Sequence, residues 1–199
     1  MQPPATGRPT GKPPMPEKRF IISVLGEDRP GIIAAVSRVL SDHGYNIEEV
    51  SQTILQNQFS CFFIVAGPQE ASPDRLSGEL GRNTQGFDLF FHVHELGAPA
   101  GPGDRANEGE PFVVTTRGPD RRGLVAGITA VFAAYGVNVE QLRAVFRGGD
   151  EPRDNTMIYE VSIPVSVDQE ELRAALRAKA RELGLEISIQ HRNVFEAMN

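Results

Sequence analysis

The chain repeats itself. Laid over residues 111–142, residues 19–50 match at a constant offset of 92 without a gap: Phe20/Phe112, Gly26/Gly118, Asp28/Asp120, Arg29/Arg121, Gly31/Gly123, Ala34/Ala126, Val39/Val131, Gly44/Gly136, Asn46/Asn138 and Glu48/Glu140. Most other pairs are conservative, as in Ile21/Val113 and Ser37/Thr129. Solenoid repeats recur every ~20–50 residues, so a period this long in a short chain specifies two like domains. Domains are expected at 19–96 and 110–199. Between them, the Gly/Pro/Ala-rich residues 97–109 read as a linker. Residues 1–18 hold six of the 15 prolines and no apolar periodicity, and are expected to form a disordered tail.

Within each copy the hydrophobic period changes in a fixed order. Residues 20–25 form a short apolar run that suits a buried strand. Ile32, Ile33, Val36, Val39 and Leu40 then recur on one helical face, and Leu124, Val125, Ile128, Val131 and Phe132 repeat that stripe. Gly44 and Gly136 stand where those helices would end. Residues 46–55 and 59–66 read as a hairpin, as do 138–147 and 156–164 around a polar insertion at 148–155. A second helix follows. Ser72 is a candidate N-cap with Pro73 at the first helical position, and Asp168 with Glu171 suggests a capping box. Alternation closes each copy: Phe87, Leu89, Phe91 and Val93, then Leu185, Ile187 and Ile189.

The order is βαββαβ twice. The expected class is α+β: two tandem ferredoxin-like domains, each an antiparallel sheet with helices on one face. A domain of this size buries only about 60% of its unfolded surface, so the copies are expected to dock as a pseudo-twofold pair.

The segments Gly26-Glu27-Asp28-Arg29-Pro30-Gly31 and Gly118-Pro119-Asp120-Arg121-Arg122-Gly123 each join the first strand to the first helix. A helix N-terminus offers unpaired N–H groups and partial positive charge, which suit a small carboxylate, and glycine removes the side chain that would hold it off. A second reading stands beside this one. Asp28 and Asp120 would only cap their helices, and Pro30 would only start one.

A βαββαβ unit with Asp-Arg-Pro-Gly and an apolar residue between first strand and helix, then Gly-x-Asn-Ile after that helix, resembles the ACT domain, a regulatory module that binds amino acids. The resemblance covers 19–94 and 110–191. Two tandem copies with no attached enzyme are most similar to the glycine cleavage system transcriptional repressor group. It implies ligand pockets where the turn of one domain meets its neighbour. The implied ligand residues are Asp28, Arg29, Pro30, Gly31, Ile32 and Asn46, with Asp120, Arg121, Gly123, Leu124 and Asn138. In one departure, Arg122 replaces the proline expected before Gly123, so the two sites need not be equivalent. The implied function is non-catalytic sensing of a small amino acid, glycine or serine-like, acting through a protein partner in transcriptional regulation of glycine cleavage. A ligand-independent adaptor or a small enzyme is the alternative.

Composition narrows the rest. With 20 Lys and Arg against 26 Asp and Glu the net charge is −6, which argues against binding a nucleic-acid backbone. The apolar run at 61–66 is six residues, whereas a bilayer takes about 20. No secretory pattern opens the chain and the single cysteine, Cys61, forms no internal disulfide, so a cytoplasmic setting is expected. No paired carboxylates, nucleophile elbow, metal cluster or dinucleotide fingerprint supports catalysis, and no cofactor is expected. His92 and His94 share a strand face and read as surface residues rather than metal ligands, and Cys61 as a small buried hydrophobe. Arg173, Arg177, Lys179 and Arg181 read as a solvated helix face. Residues 7–13 have the wrong glycine spacing for a phosphate loop. A homodimer is compatible with all of this.

Overall fold

The computed structural model describes residues 17–97, 109–146, 155–193 and 195. Residues 1–16 of the expected tail, the phosphate-loop look-alike, and nearly all of the expected linker and polar insertion lie outside the described residues; Lys18, expected in the tail, instead opens the first strand. The chain divides into two compact units. In the first, β1 (Lys18–Glu27), α1 (Ile32–Asp42), β2 (Asn46–Leu55), β3 (Gln58–Gly67), α2 (Pro73–Asn83) and β4 (Phe90–Leu96) form an antiparallel sheet of order β2-β3-β1-β4. In the second, β5 (Gly109–Gly118), α3 (Leu124–Ala134), β6 (Asn138–Phe146), β7 (Asn155–Pro164), α4 (Gln169–Glu182) and β8 (Glu186–His191) repeat it as β6-β7-β5-β8. This is the ferredoxin-like plan, twice.

Alternation decides which sheet face the helices cover. Phe20, Ile22 and Val24 of β1 and Cys61, Phe63 and Val65 of β3 point to one side and are buried under Ile32, Val36 and Leu40 of α1 and Leu76 and Leu80 of α2. In the second unit Phe112, Val114, Tyr159 and Val161 meet Ile128, Phe132, Leu172 and Leu176. The opposite faces differ. In the first unit Leu25, Phe62 and Phe90 lie open on that side, with His92 and His94 exposed beside them, so Phe90 is not covered within its unit. The register places Arg117, Ile158 and Glu186 at the corresponding points of the second unit.

The helix ends follow their sequence signals. The Ser72 hydroxyl accepts from the Arg75 amide at 3.4 Å, and the Asp168 carboxylate accepts from the amides of Glu170 and Glu171 at 2.8 and 3.1 Å. The reciprocal half of the capping box is replaced: the Glu171 carboxylate accepts from the Tyr135 hydroxyl at 3.2 Å. Helix α1 closes with Tyr45 N–H donating to Leu40 C=O at 2.9 Å and Gly44 N–H to Ser41 C=O at 3.1 Å, and α3 closes identically through Val137 and Gly136.

Two expectations are corrected. The alternation beginning at Phe87 predicts strand, yet residues 85–87 form a 3-10 turn and β4 starts only at Phe90; Asp88, at φ 52°, reverses the chain first. Arg173 is not solvated: it donates to Ile189 C=O at 3.1 Å and lies over the Phe112 ring at 5.4 Å, its stem following apolar surface. Two of the edge strands are irregular, with a bulge between Ile47 and Glu49 in β2 and between Val139 and Gln141 in β6. Glu48, at the first bulge, accepts from Arg19 at 2.8 Å, and Glu140, at the second, from Arg192 at 2.6 Å.

Candidate functional site

Both units open their first helix in the same way. Helix α1 starts behind Gly31 at φ 98°, and α3 behind Gly123 at φ 87°. A Cβ in that left-handed region is strained, which is why glycine recurs here. Among the described residues, neither helix receives a side-chain cap. Asp28 and Asp120 therefore do not cap their helices, standing three residues ahead of the N-cap, and Pro30 does not occupy the first helical position. The first-turn amides, which have no acceptor within a helix, meet no capping side chain in either unit.

In the first unit a cleft of about 540 Å³ runs along this turn. Asp28, Arg29, Pro30, Gly31 and Ile32 all line it, together with Ile33, Ala34, Gln52 and Phe59. The Asp28 amide donates to Asn57 C=O at 2.8 Å, tying the turn to the tip of the β2–β3 hairpin. Arg29 is held by the Glu27 carboxylate at 2.6 Å, which also raises its pKa. Ile32 is buried, so it supplies apolar floor rather than an open wall. Gln52 and Phe59 were missed by the sequence reading. Their proximity to the turn follows from strand register, which pairs Phe59 with Gly26 and Gln52 with Cys61.

The second turn is braced differently. The Asp120 carboxylate accepts from Asn155 Nδ2 at 3.3 Å, and the Arg121 guanidinium donates to Leu183 C=O behind α4. Leu124 is buried in the core, and Arg122 is exposed.

Asn46 and Asn138 do not join the turns of their own units. Each opens an edge strand at the end where the first helix finishes, while the turn lies at the other end. Leu55 is nine residue steps along the strand from Asn46, a span of about 30 Å at ~3.3 Å per step. No cluster of three or more His, Cys, Asp or Glu that could hold a metal exists among the described residues, and His92 and His94 face solvent. None of the described helices is long and apolar enough to cross a membrane.

Comparison with known proteins agrees with this geometry. Residues 18–94 and 110–190 each match the family model of the ACT domain. A UPF0237 protein of Methanopyrus kandleri is 47% identical over 81 residues, covering 39% of this chain and 90% of that protein. The glycine cleavage system transcriptional repressor of Escherichia coli is 25% identical over 172 residues, or 85% of this chain and 88% of that one. Among solved structures, an unknown protein from Galdieria sulphuraria aligns over 88% of this chain and 99% of its own, with a TM-score of 0.71 and 22% identity. A candidate glycine cleavage system transcriptional repressor aligns over 87% of this chain and 96% of its own, with a TM-score of 0.62 and 20% identity. These two likenesses concern the fold.

Proposed function

The chain belongs to the ACT-domain family, as a tandem pair, and from that premise we propose that it is a non-catalytic regulatory protein that senses a small amino acid at its strand-to-helix turns. The carrying observation is the uncapped helix start behind Gly31, open to a cleft of about 540 Å³. Main-chain N–H groups take the ligand carboxylate, and Asp28 accepts from its ammonium. Asn46 and Asn138, remote from their own turns, contribute when another ACT domain supplies them. Glycine has five heavy atoms; at about −1.5 kcal/mol per atom its affinity is capped near −7.5 kcal/mol, in the micromolar range. That strength suits a sensor of metabolite pools.

Likeness over 85% of the chain to a glycine cleavage system transcriptional repressor supports a role in regulating that system through a protein partner. The ligand acts by binding one conformation of the chain more tightly than another. Calorimetry of the full chain against the twenty amino acids tests this. Glycine or another small amino acid is expected to bind with micromolar or weaker affinity. The double variant Asn46→Ala, Asn138→Ala is expected to weaken it. Folded protein that binds none of the twenty defeats the proposal, and partner binding indifferent to ligand favours an adaptor. Turnover of a substrate that is lost on changing Asp28 or Asp120 would make it an enzyme.

A further inference from the structure

The two turns have different floors. Phe59 stands opposite Gly26 in the β1–β3 ladder, and Asn155 stands opposite Gly118 at the same point of the β5–β7 ladder. Both are buried, at 3% and 4% exposure, so a carbon ring underlies the first turn and a carboxamide the second. The Asn155 amide is oriented by its neighbour: Nδ2 donates to Asp120 at 3.3 Å, because a carboxylate accepts and cannot donate. That leaves Oδ1, in the same planar group beneath the turn, without a hydrogen-bond donor among the described residues. Buried acceptors are rarely left unmade, and an orphan beside an uncapped helix start marks a place for an arriving donor. The register also puts Ala144 where the first unit has Gln52, leaving the second turn one polar wall fewer.

From this we propose that Asn155 sets ligand specificity at the second turn, which takes a small amino acid bearing a side-chain hydroxyl, whereas the first turn, floored by Phe59, takes one without a donating side chain. The inference rests on amino-acid sensing as proposed above. At the second turn the helix amides take the ligand carboxylate and exposed Asp120 meets the ammonium. The deeper oxygen of Asn155 is then left for the hydroxyl. A site built to hydrogen-bond a hydroxyl rejects the analogue lacking it, since its own buried group stays unpaired. Over a phenyl floor the same hydroxyl meets no acceptor beneath the turn among the described residues.

Serine and alanine differ by that one oxygen and are the probes. Titrated into the full chain, serine is expected to show a binding phase about tenfold or more tighter than alanine. Asn155→Leu removes the acceptor and is expected to bring the two ligands within about twofold of each other. In unaltered protein, the side-chain amide resonances of Asn155 are expected to shift with serine and not with alanine, a readout that does not depend on the variant folding. Equal affinity for both ligands, a preference surviving Asn155→Leu, or silent Asn155 resonances overturns this inference while leaving amino-acid sensing intact. Failure of both ligands, with every other amino acid, overturns the two together.

Discussion

The ring of Tyr45 lies directly against Gly67, so close that a Cβ built on that glycine would collide with its Cδ1 and Cε1. Tyr45 is itself pinned, buried and edge-on to Phe20 with centroids 6.1 Å apart. The contact locks the chain leaving α1 onto the last residue of β3. Gly67→Ala is expected to destabilise the first unit by ~1–3 kcal/mol through overpacking, read as a lower urea midpoint with an unchanged slope.

Gly31 and Gly123 offer a contrast. Among the described residues, and apart from its chain neighbours, nothing lies within 4 Å of a Cβ built at Gly123, and at Gly31 the nearest such atom is a Phe87 ring carbon at 3.5 Å, an ordinary contact. Alanine at either position therefore costs backbone strain alone, about 1–2 kcal/mol, and asparagine, which tolerates this conformation, costs less. Thermal unfolding of the four variants checks the order.

Glu79 is a buried carboxylate whose partners sit outside it: Arg75 at 2.9 Å and His43 Nε2 at 3.9 Å. Its backbone C=O also accepts from Asn83 at 2.7 Å. Arg75→Ala leaves the carboxylate without its main donor. Because the Arg75 side chain is 61% exposed, water replaces part of the lost interaction, and the expected cost is only ~1 kcal/mol. Adding Glu79→Gln is expected to restore part of that loss in a double-mutant cycle.

Cys61 is fully buried, and desolvation pushes its thiol up to about 11. The folded thiol stays protonated where an unfolded one, at about 8.5, has ionised. Above pH 8.5 the unfolded chain thus binds fewer protons than the native chain, so stability falls with rising pH until about 11 and is unaffected by this group below 8.5. Cys61→Ala is expected to flatten that alkaline slope in unfolding curves measured at successive pH values. At neutral pH the native thiol is expected to resist alkylation until the first unit unfolds.

What was legible in the sequence was local. The stripes Ile32 to Leu40 and Leu124 to Phe132, the caps at Ser72 and Asp168 and the glycines at 31 and 123 each act within a few residues, and each holds its expected place. Phe87 misled because its alternation with Leu89 continues past the point where Asp88 reverses the backbone. The roles of Gln52, Phe59 and Asn155 could not be read from spacing, since they depend on which residue faces which across a ladder. The aspartates looked like caps because their position before a helix is common to caps and to ligand turns. The location of the N-cap, three residues later, removes the capping reading.

The bulges at residues 48 and 140 bear on how freely this chain can change its length. Ile47 pairs with Val65 and Glu49 with Ile64, so Glu48 is surplus to the ladder. Deleting it would leave a straight edge strand with every later side chain still on its proper side, at the expense of a bend and the bond to Arg19. Losing either glutamate of the Glu48-Glu49 pair gives the same chain, whereas losing any one residue between 50 and 55 would turn one part of the strand inside out relative to the other. Gene variants one codon shorter should thus be tolerated at this glutamate pair and purged farther along the strand.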